Sequence, residues 1–465
     1  MENNNNIGRR NFLKLLGGSA VASSVTLAGC SSGKEKVYSD EDAYSGEVPV
    51  GKMTYRINSN TKDKVSLLGY GCMRWPTKEE NDQEVDEEMV NKLVDYAIEH
   101  GVNYFDTAPV YTKGLSEHYT GNALARHPRN SYYIATKMSN FDPELQTREA
   151  SIAMYHNSMK ELHTDYFDYY LLHSIGEMEG YKARFLNNGI LDFLLKEREA
   201  GRIRNLGWSF HGNKEFFDYV LNCGVKWDFV QIELNYFDWK HASGENVNAD
   251  YLYGELTKRN IPSVIMEPLR GGSLSKLNYA SMAKLKEINS KATCASWAFR
   301  YAGTFDHVLT VLSGMTYMEH LQDNIRTYSP LVPVTEQQKE LLEKVALMIL
   351  QYPLIDCTGC NYCMPCPYRL DIPGIFAHYN KFVNDGTVPQ NLQDKNYRRD
   401  RRNFLLGYNR AIPAERQADH CVNCHKCEPL CPQHIDIPRE MQRINRFVEE
   451  LKQDKPITVE EPGRG

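Results

Sequence analysis

Between about Lys52 and Pro333 the chain alternates short apolar runs with longer stretches in which apolar residues recur at helical spacing. The short runs are Leu67–Gly71, Val102–Phe105, Tyr132–Ala135, Tyr166–Leu172, Arg204–Trp208, Phe229–Ile232, Ser263–Met266 and Val308–Leu312, each of strand length. Helical patterns fall between them, as in Glu87–His100, Glu149–Leu162, Leu191–Ala200 and Asp250–Lys258. Eight βα units in about 280 residues fit a closed parallel (β/α)8 TIM barrel better than an open doubly wound sheet. No GxGxxG follows any of the strands, which argues against a dinucleotide-binding sheet. Met53–Ile57 and Val65–Leu67 are expected to form a hairpin capping the barrel bottom.

Ionisable residues cluster at one place in this pattern. Asp106 ends the second expected strand, Lys137 the third and His173 the fourth, while Tyr111 follows Asp106 in its loop. Barrel active sites lie at the C-terminal strand ends, so the four are expected to face one another across the mouth. A charge just beyond a buried strand is costly unless it is paired. Alone, Asp106 and Lys137 also read as a structural ion pair and His173 as a hydrogen-bonded core residue; the set of four favours catalysis.

The C-terminal third carries different chemistry. Cys357, Cys360, Cys363 and Cys366 form one run, and Cys421, Cys424, Cys427 and Cys431 a second; both end in Cys-Pro. The first three cysteines recur at an offset of 64, with Leu430 as one extra residue before the last. The flanks repeat too: Asp371-Ile372-Pro373 follows the first run and Asp436-Ile437-Pro438 the second. Thiolates at two-residue gaps, closed by Cys-Pro, suit two [4Fe–4S] clusters in a ferredoxin-like, α-rich module. Structural zinc uses paired knuckles with a wider gap, and adjacent CxxC thiols make strained disulfides, so both alternatives fit less well. Spacing leaves open which fourth cysteine serves which cluster. Arg398, Arg399, Arg401 and Arg402 between the runs read as a solvated helix face or as a docking patch for a redox partner.

Composition narrows the picture further. The 465 residues are 42% hydrophobic and 25% charged with a net charge of −6, ordinary for a globular chain and without a basic field for nucleic acid. Of 12 cysteines, eight lie in the runs; Cys72, Cys223 and Cys294 lack ligand spacing and read as small core residues. At the start, Arg9-Arg10-Asn11-Phe12-Leu13-Lys14 resembles a twin-arginine export signal, and Leu27-Ala28-Gly29-Cys30 a lipobox that would leave Cys30 lipidated. The expected layout is a signal over 1–30, a polar tether over 31–51, the barrel over 52–333, the iron–sulfur module over 334–450 and a polar tail over 451–465. The expected location is a membrane-anchored lipoprotein outside the cytoplasm.

The barrel residues carry a family resemblance. Gly101-Val102-Asn103-Tyr104-Phe105-Asp106-Thr107-Ala108, Tyr111, Ser116-Glu117, Ala135-Thr136-Lys137, Leu171-Leu172-His173 and Gly201–Gly207 resemble the motifs of aldo-keto reductases. The resemblance covers about residues 52–330, and aldo-keto reductases with a C-terminal ferredoxin-like module form a group that this chain looks like. It implies an oxidoreductase interconverting a carbonyl and an alcohol. Tyr111 would be the general acid, Lys137 would lower its pKa, Asp106 would orient Lys137, and His173 would donate to the substrate oxygen. Ser209, Gln231, Arg270, Gly271 and Asn324 would contact NAD(P)H. The cofactor side departs from the family: Phe210 stands where an asparagine is usual, Met266 and Glu267 replace an aromatic and a serine, and His320 an arginine. Export adds to this, because soluble NAD(P)H is scarce outside the cytoplasm. The implied partners are a small carbonyl or alcohol and a redox protein or membrane electron carrier. The other reading is a non-catalytic iron–sulfur protein whose barrel only docks a partner.

Overall fold

The computed structural model describes residues 46–78, 81–242, 246–351, 354–355, 357, 361, 363–385, 387–389, 396–431 and 435–453. The expected export signal with Cys30, most of the tether and Cys360 lie outside the described residues.

An antiparallel hairpin, β1 (Tyr55–Ile57) and β2 (Lys64–Ser66), precedes the barrel, as expected. The first barrel strand is β3 (Leu68–Gly71), and a second small hairpin, β4 (Thr77–Lys78) with β5 (Asn81–Val85), follows it. Then come β6 (Tyr104–Asp106), β7 (Tyr133–Met138), β8 (Phe167–Ile175), β9 (Ile203–Phe210), β10 (Phe229–Glu233), β11 (Ser263–Met266) and β12 (Val308–Ser313). Strands β3 and β6 to β12 pair in parallel and close into a barrel, β12 joining β3. All eight expected strands are present, shifted by one to three residues at some ends.

The intervening helices follow from their caps and stripes. The helix Glu87–Glu99 starts at Asp86, whose side chain accepts from the Met89 N–H at 3.0 Å, with Glu87 and Glu88 in its first turn. Its Val90, Leu93, Val94 and Ala97 are buried, the one-face spacing that lays a helix on a sheet. Inside the barrel, Tyr104, Tyr169 and Phe229 fill the lower layer, with ring centroids 4.9 and 5.2 Å apart. At the bottom, buried Asp168 accepts from Arg129 at 2.7 Å, Arg204 at 2.9 Å and the Ile134 N–H at 3.0 Å, tying three segments together.

The barrel body extends past the expected boundary at 333. The helix Glu336–Gln351 buries Leu342, Val345 and Ala346 in the barrel core, and its Glu343 meets His241 at 2.9 Å. Its apolar stripe complements the barrel helices, whereas a spacing argument from the cysteines assigns it to the following module.

The C-terminal body has its own core. Helices Ile372–Asn384, Tyr397–Ala411 and Ile437–Gln453 bury Phe376, Phe404, Met441, Ile444 and Phe447 together, with the cysteine runs against them. The repeated flanks are helix starts: Asp371 accepts from the Gly374 N–H at 3.2 Å and Asp436 from the Arg439 N–H at 3.1 Å. Arg401, read as part of a surface run, instead donates to the Leu451 carbonyl at 2.6 Å and closes the last helix end. Among the described residues, no helix is long and apolar enough to cross a membrane.

Candidate functional site

A strand's period of two explains how the barrel mouth acquires its polar residues. On β6, β7 and β8 the inward positions run Tyr104 then Asp106, Ala135 then Lys137, and Leu171 then His173. Each ionisable group therefore sits one inner layer above an apolar side chain, at the C-terminal end. Asp106 is the last residue of β6, but Lys137 has Met138 after it, and β8 continues past His173 to Ile175. The β8–β9 register breaks between Leu172 and Ile175, and Ser174 has φ +48°. His173 thus lies where β8 leaves its regular ladder with β9.

The four expected residues are brought together. The Lys137 ammonium donates to Asp106 Oδ1 at 2.5 Å and to the Thr107 carbonyl at 2.7 Å, and lies 4.8 Å from the centre of the Tyr111 ring. Tyr111 and His173 meet edge to face with centroids 5.6 Å apart. Burial disfavours the charge on Lys137, but Asp106 and then Tyr111 outweigh it and hold the ammonium protonated. Burial raises the Asp106 carboxyl above its usual range, opposed by Lys137. The Tyr111 phenol departs from expectation: burial raises it above its usual range, and Lys137 offsets only part of this. Desolvation of the phenolate outweighs one neighbouring cation, so Tyr111 rests as a neutral phenol. Burial, with Lys137, Arg184 and His211 adding to it, holds His173 well below the imidazole range and therefore uncharged.

Residues not singled out as site members complete this arrangement. Ser139 Oγ lies 2.6 Å from His173 Nδ1, two residues beyond Lys137 on the same side of the chain. Buried Glu117, seen only as part of a motif, accepts from Thr136 at 2.5 Å and from Ser158 at 3.0 Å. Burial pushes its carboxyl up to about 7. The strand period offers Ser139 as a signal; nothing in the sequence points to Arg184, which lies in a short helical segment after β8 without a readable motif.

Of the expected cofactor residues, Ser209 and Gln231 lie on β9 and β10, Arg270 and Gly271 in the turn after β11, and Asn324 in the helix Met318–Tyr328 after β12. Ser209 and Gln231 are partners in the β9–β10 register. Ser209 Oγ accepts from the Ser174 N–H at 2.7 Å, and Gln231 Nε2 donates to Met266 Sδ at 3.5 Å. Among the described residues, buried Gln231 Oε1 has no partner, an acceptor suited to an amide N–H such as that of a nicotinamide carboxamide. Asn324 donates to Ser313 Oγ at 2.9 Å. The phosphate end fits less well. Gly271 and Gly272 have φ of +66° and +96°, the open turn that exposes N–H groups to an anion, but the Glu267 carboxylate accepts from the Gly271 N–H. Arg270 faces Asp238 at 3.3 Å and stacks on Phe237. Phe210 packs into the wall beside Phe217 and offers no surface to the mouth.

In the C-terminal body, Cys366 lines one cleft with Cys421, Cys424 and Cys427. The fourth cysteine of the first run thus stands with the first three of the second, and Cys427 senses all three neighbours. For Cys366, this is the arrangement known for two-cluster ferredoxins, in which the fourth cysteine serves the other run's cluster. Among the described residues, no three His, Cys, Asp or Glu side chains converge closely enough for a single metal ion. Four cysteine sulfurs around one cleft are the donor set that a [4Fe–4S] cubane takes. Tyr368, Leu370, Ile372 and Met441 give that cleft an apolar wall.

Comparison with known proteins agrees with this division. The aldo/keto reductase family profile matches residues 67–346, and a 4Fe-4S dicluster domain profile matches residues 353–435. "Protein tas" of Escherichia coli is 32% identical over 187 residues, 34% of this chain and 52% of its own length. The chain thus spans about half the length of that relative. The L-galactose dehydrogenase of Arabidopsis thaliana is 26% identical over 318 residues, 64% of this chain and 95% of its own. Among solved structures, an aldo-keto reductase from Bacillus halodurans in its holo form superposes with a TM-score of 0.52 at 22% identity, covering 63% of this chain and 96% of that one. It shares the barrel fold.

Proposed function

This chain belongs to the aldo/keto reductase family, and from that premise we propose an oxidoreductase that interconverts a small carbonyl compound and its alcohol. We propose further that it exchanges electrons through two [4Fe–4S] clusters held by the cysteine runs. The observation that carries this reading is the buried Lys137–Asp106 pair, 2.5 Å apart, beneath the Tyr111 ring and opposite a neutral His173.

The residues' roles follow from their charge states. Tyr111 rests as a neutral phenol and can give its proton to a carbonyl oxygen as that oxygen gains negative charge. The Lys137 ammonium, fixed by Asp106 and the Thr107 carbonyl, stabilises the phenolate left behind. Neutral His173 donates from Nε2 when Ser139 donates to its Nδ1, so it holds the substrate oxygen without competing to protonate it. A nicotinamide bound along β9 to β12 would supply or accept the hydride, with Ser209, Gln231, Arg270, Gly271 and Asn324 around it. Iron–sulfur clusters supply single-electron transfer to a redox protein or membrane carrier.

The Glu267 carboxylate on the Gly271 N–H favours a second reading, in which the barrel works without a soluble nicotinamide. Adding NADPH, then NADH, to anaerobically purified protein separates the two. Bleaching of the cluster absorbance is expected if hydride electrons reach iron; no bleaching and no nucleotide binding would remove nicotinamide. Tyr111→Phe is expected to abolish carbonyl turnover, and full activity would leave the barrel as a docking scaffold. Export through the Arg9-Arg10 signal and anchoring at Cys30 belong to the same proposal. Membrane fractionation of wild type against Cys30→Ala tests them, and soluble wild-type protein would overturn the anchor.

A further inference from the structure

Arg184 lies in the segment after β8, a region without a recognisable motif, yet it is one of the most constrained cations in the barrel. It is only 7% exposed and sits in a short π-helical turn, Lys182–Leu186. Its guanidinium donates to the His173 carbonyl at 2.6 Å and the Ser174 carbonyl at 3.1 Å, both on β8. It also reaches the Met138 carbonyl at the end of β7 at 3.5 Å and Asn140 Oδ1 at 3.3 Å. The rings of Phe141 and Phe185 lie 4.3 and 4.8 Å from its Cζ. Among the described residues it forms no ion pair, so its hydrogen bonds go to the strand ends.

Those strand ends are where regular pairing fails. The β8–β9 register breaks after Leu172, and Ser174 adopts a left-handed conformation that is strained for a serine. Two contacts hold it there: its N–H donates to Ser209 and its carbonyl accepts from Arg184. Just beyond, the loops after β8 and β9 cross at Gly176 and Gly212. A Cβ on Gly176 would stand 1.7 Å from the His211 carbonyl oxygen. The chain therefore cannot relax toward β9. On the β7 side, Phe141 stacks on Arg184 and also packs on the His173 ring, with centroids 5.1 Å apart.

We propose that Arg184 is a positioning residue that clamps the ends of β7 and β8 and so fixes His173 at the barrel mouth. A planar fork reaching several carbonyls at once requires arginine, since a lysine ammonium is a single point on a flexible stem. The charge matters as well as the geometry. Arg184, Lys137 and His211 are the cationic or basic groups that face His173, and Tyr111, Ser139 and Phe141 complete its surroundings. A buried positive charge beside the imidazole opposes its protonation. The inference rests on His173 being part of the active site proposed above.

The test uses full-length, cluster-loaded protein with Arg184→Gln and Arg184→Lys. The first readout is the His173 titration by NMR on histidine-labelled protein, which needs no substrate. Wild-type His173 is expected to stay neutral well below the ordinary imidazole range, and in Arg184→Gln its titration moves up toward that range. If Arg184→Gln does not fold, Arg184→Lys keeps a charge but loses the fork, and a shifted or broadened His173 resonance is expected. The second readout is NADPH-dependent reduction of 4-nitrobenzaldehyde, with kcat/KM expected to fall about 10- to 100-fold in either variant. An unchanged His173 titration with unchanged kcat/KM, while Tyr111→Phe abolishes turnover, would overturn the clamp and leave the active-site reading intact. Full activity of Tyr111→Phe would instead overturn the reading beneath it.

Discussion

The Lys137 ammonium and the Asp106 carboxylate stand 2.5 Å apart with both side chains almost fully buried. A buried pair gains little over an apolar replacement of both partners, but removing one strands the other. Asp106→Leu or Lys137→Met alone is therefore expected to cost about 3–5 kcal/mol of stability. The double variant should cost less than the sum of the two. Urea denaturation of the set checks this, and additive losses would show that the pair is not coupled.

Glu117 gives stability a pH dependence. Burial holds its carboxyl at about 7 in the fold, whereas an exposed glutamate titrates near ~4.3. Between those values the folded chain retains a proton that the unfolded chain has released, so stability falls as pH rises through that window. The full effect is about 4 kcal/mol, reached above the folded value. Glu117→Gln is expected to flatten this fall, measured as Tm from pH 4.5 to 8. An unchanged slope would mean that Glu117 is ionised throughout.

The cysteine exchange makes a specific prediction for cluster loss. Cys366→Ala should disrupt the same cluster as Cys424→Ala, although the two residues lie in different runs. Iron content and EPR of the reduced proteins are expected to show one remaining cluster with matching signals. If Cys366→Ala instead matches Cys363→Ala, each run serves its own cluster.

Glu267 tests the nucleotide end of the mouth. Its carboxylate takes the Gly271 N–H and places negative charge on the turn that would otherwise offer its N–H groups to an anion. Glu267→Gln removes that charge, and NADPH binding is expected to tighten about tenfold, roughly 1.4 kcal/mol, by fluorescence titration. No change in affinity would place the phosphates away from this turn.

Much of this molecule was legible in linear order. The eight strands, the hairpin, the tetrad and the repeated Asp-Ile-Pro flanks all rest on local periods and caps, which a sequence displays directly. The helix Glu336–Gln351 packs on the barrel and not with the cysteine runs, a choice its apolar stripe leaves open because it fits either neighbour until packing selects one. The expected effect of Lys137 on Tyr111 was offset by burial, a quantity that depends on everything folded around the ring. Arg184 had no signal, since its partners are backbone carbonyls that any residue supplies.

The sequence by itself determined the barrel, the residues at its mouth and the chemistry of the cysteine runs. Those depend on side-chain identity and on periods of two, three or four residues. Only the tertiary structure decided that Cys366 stands with Cys421, Cys424 and Cys427, that burial outweighs Lys137 at the Tyr111 phenol, and that Arg184 holds the end of β8. Each of these depends on distances and burial set by chain closure, which spacing along the sequence does not encode.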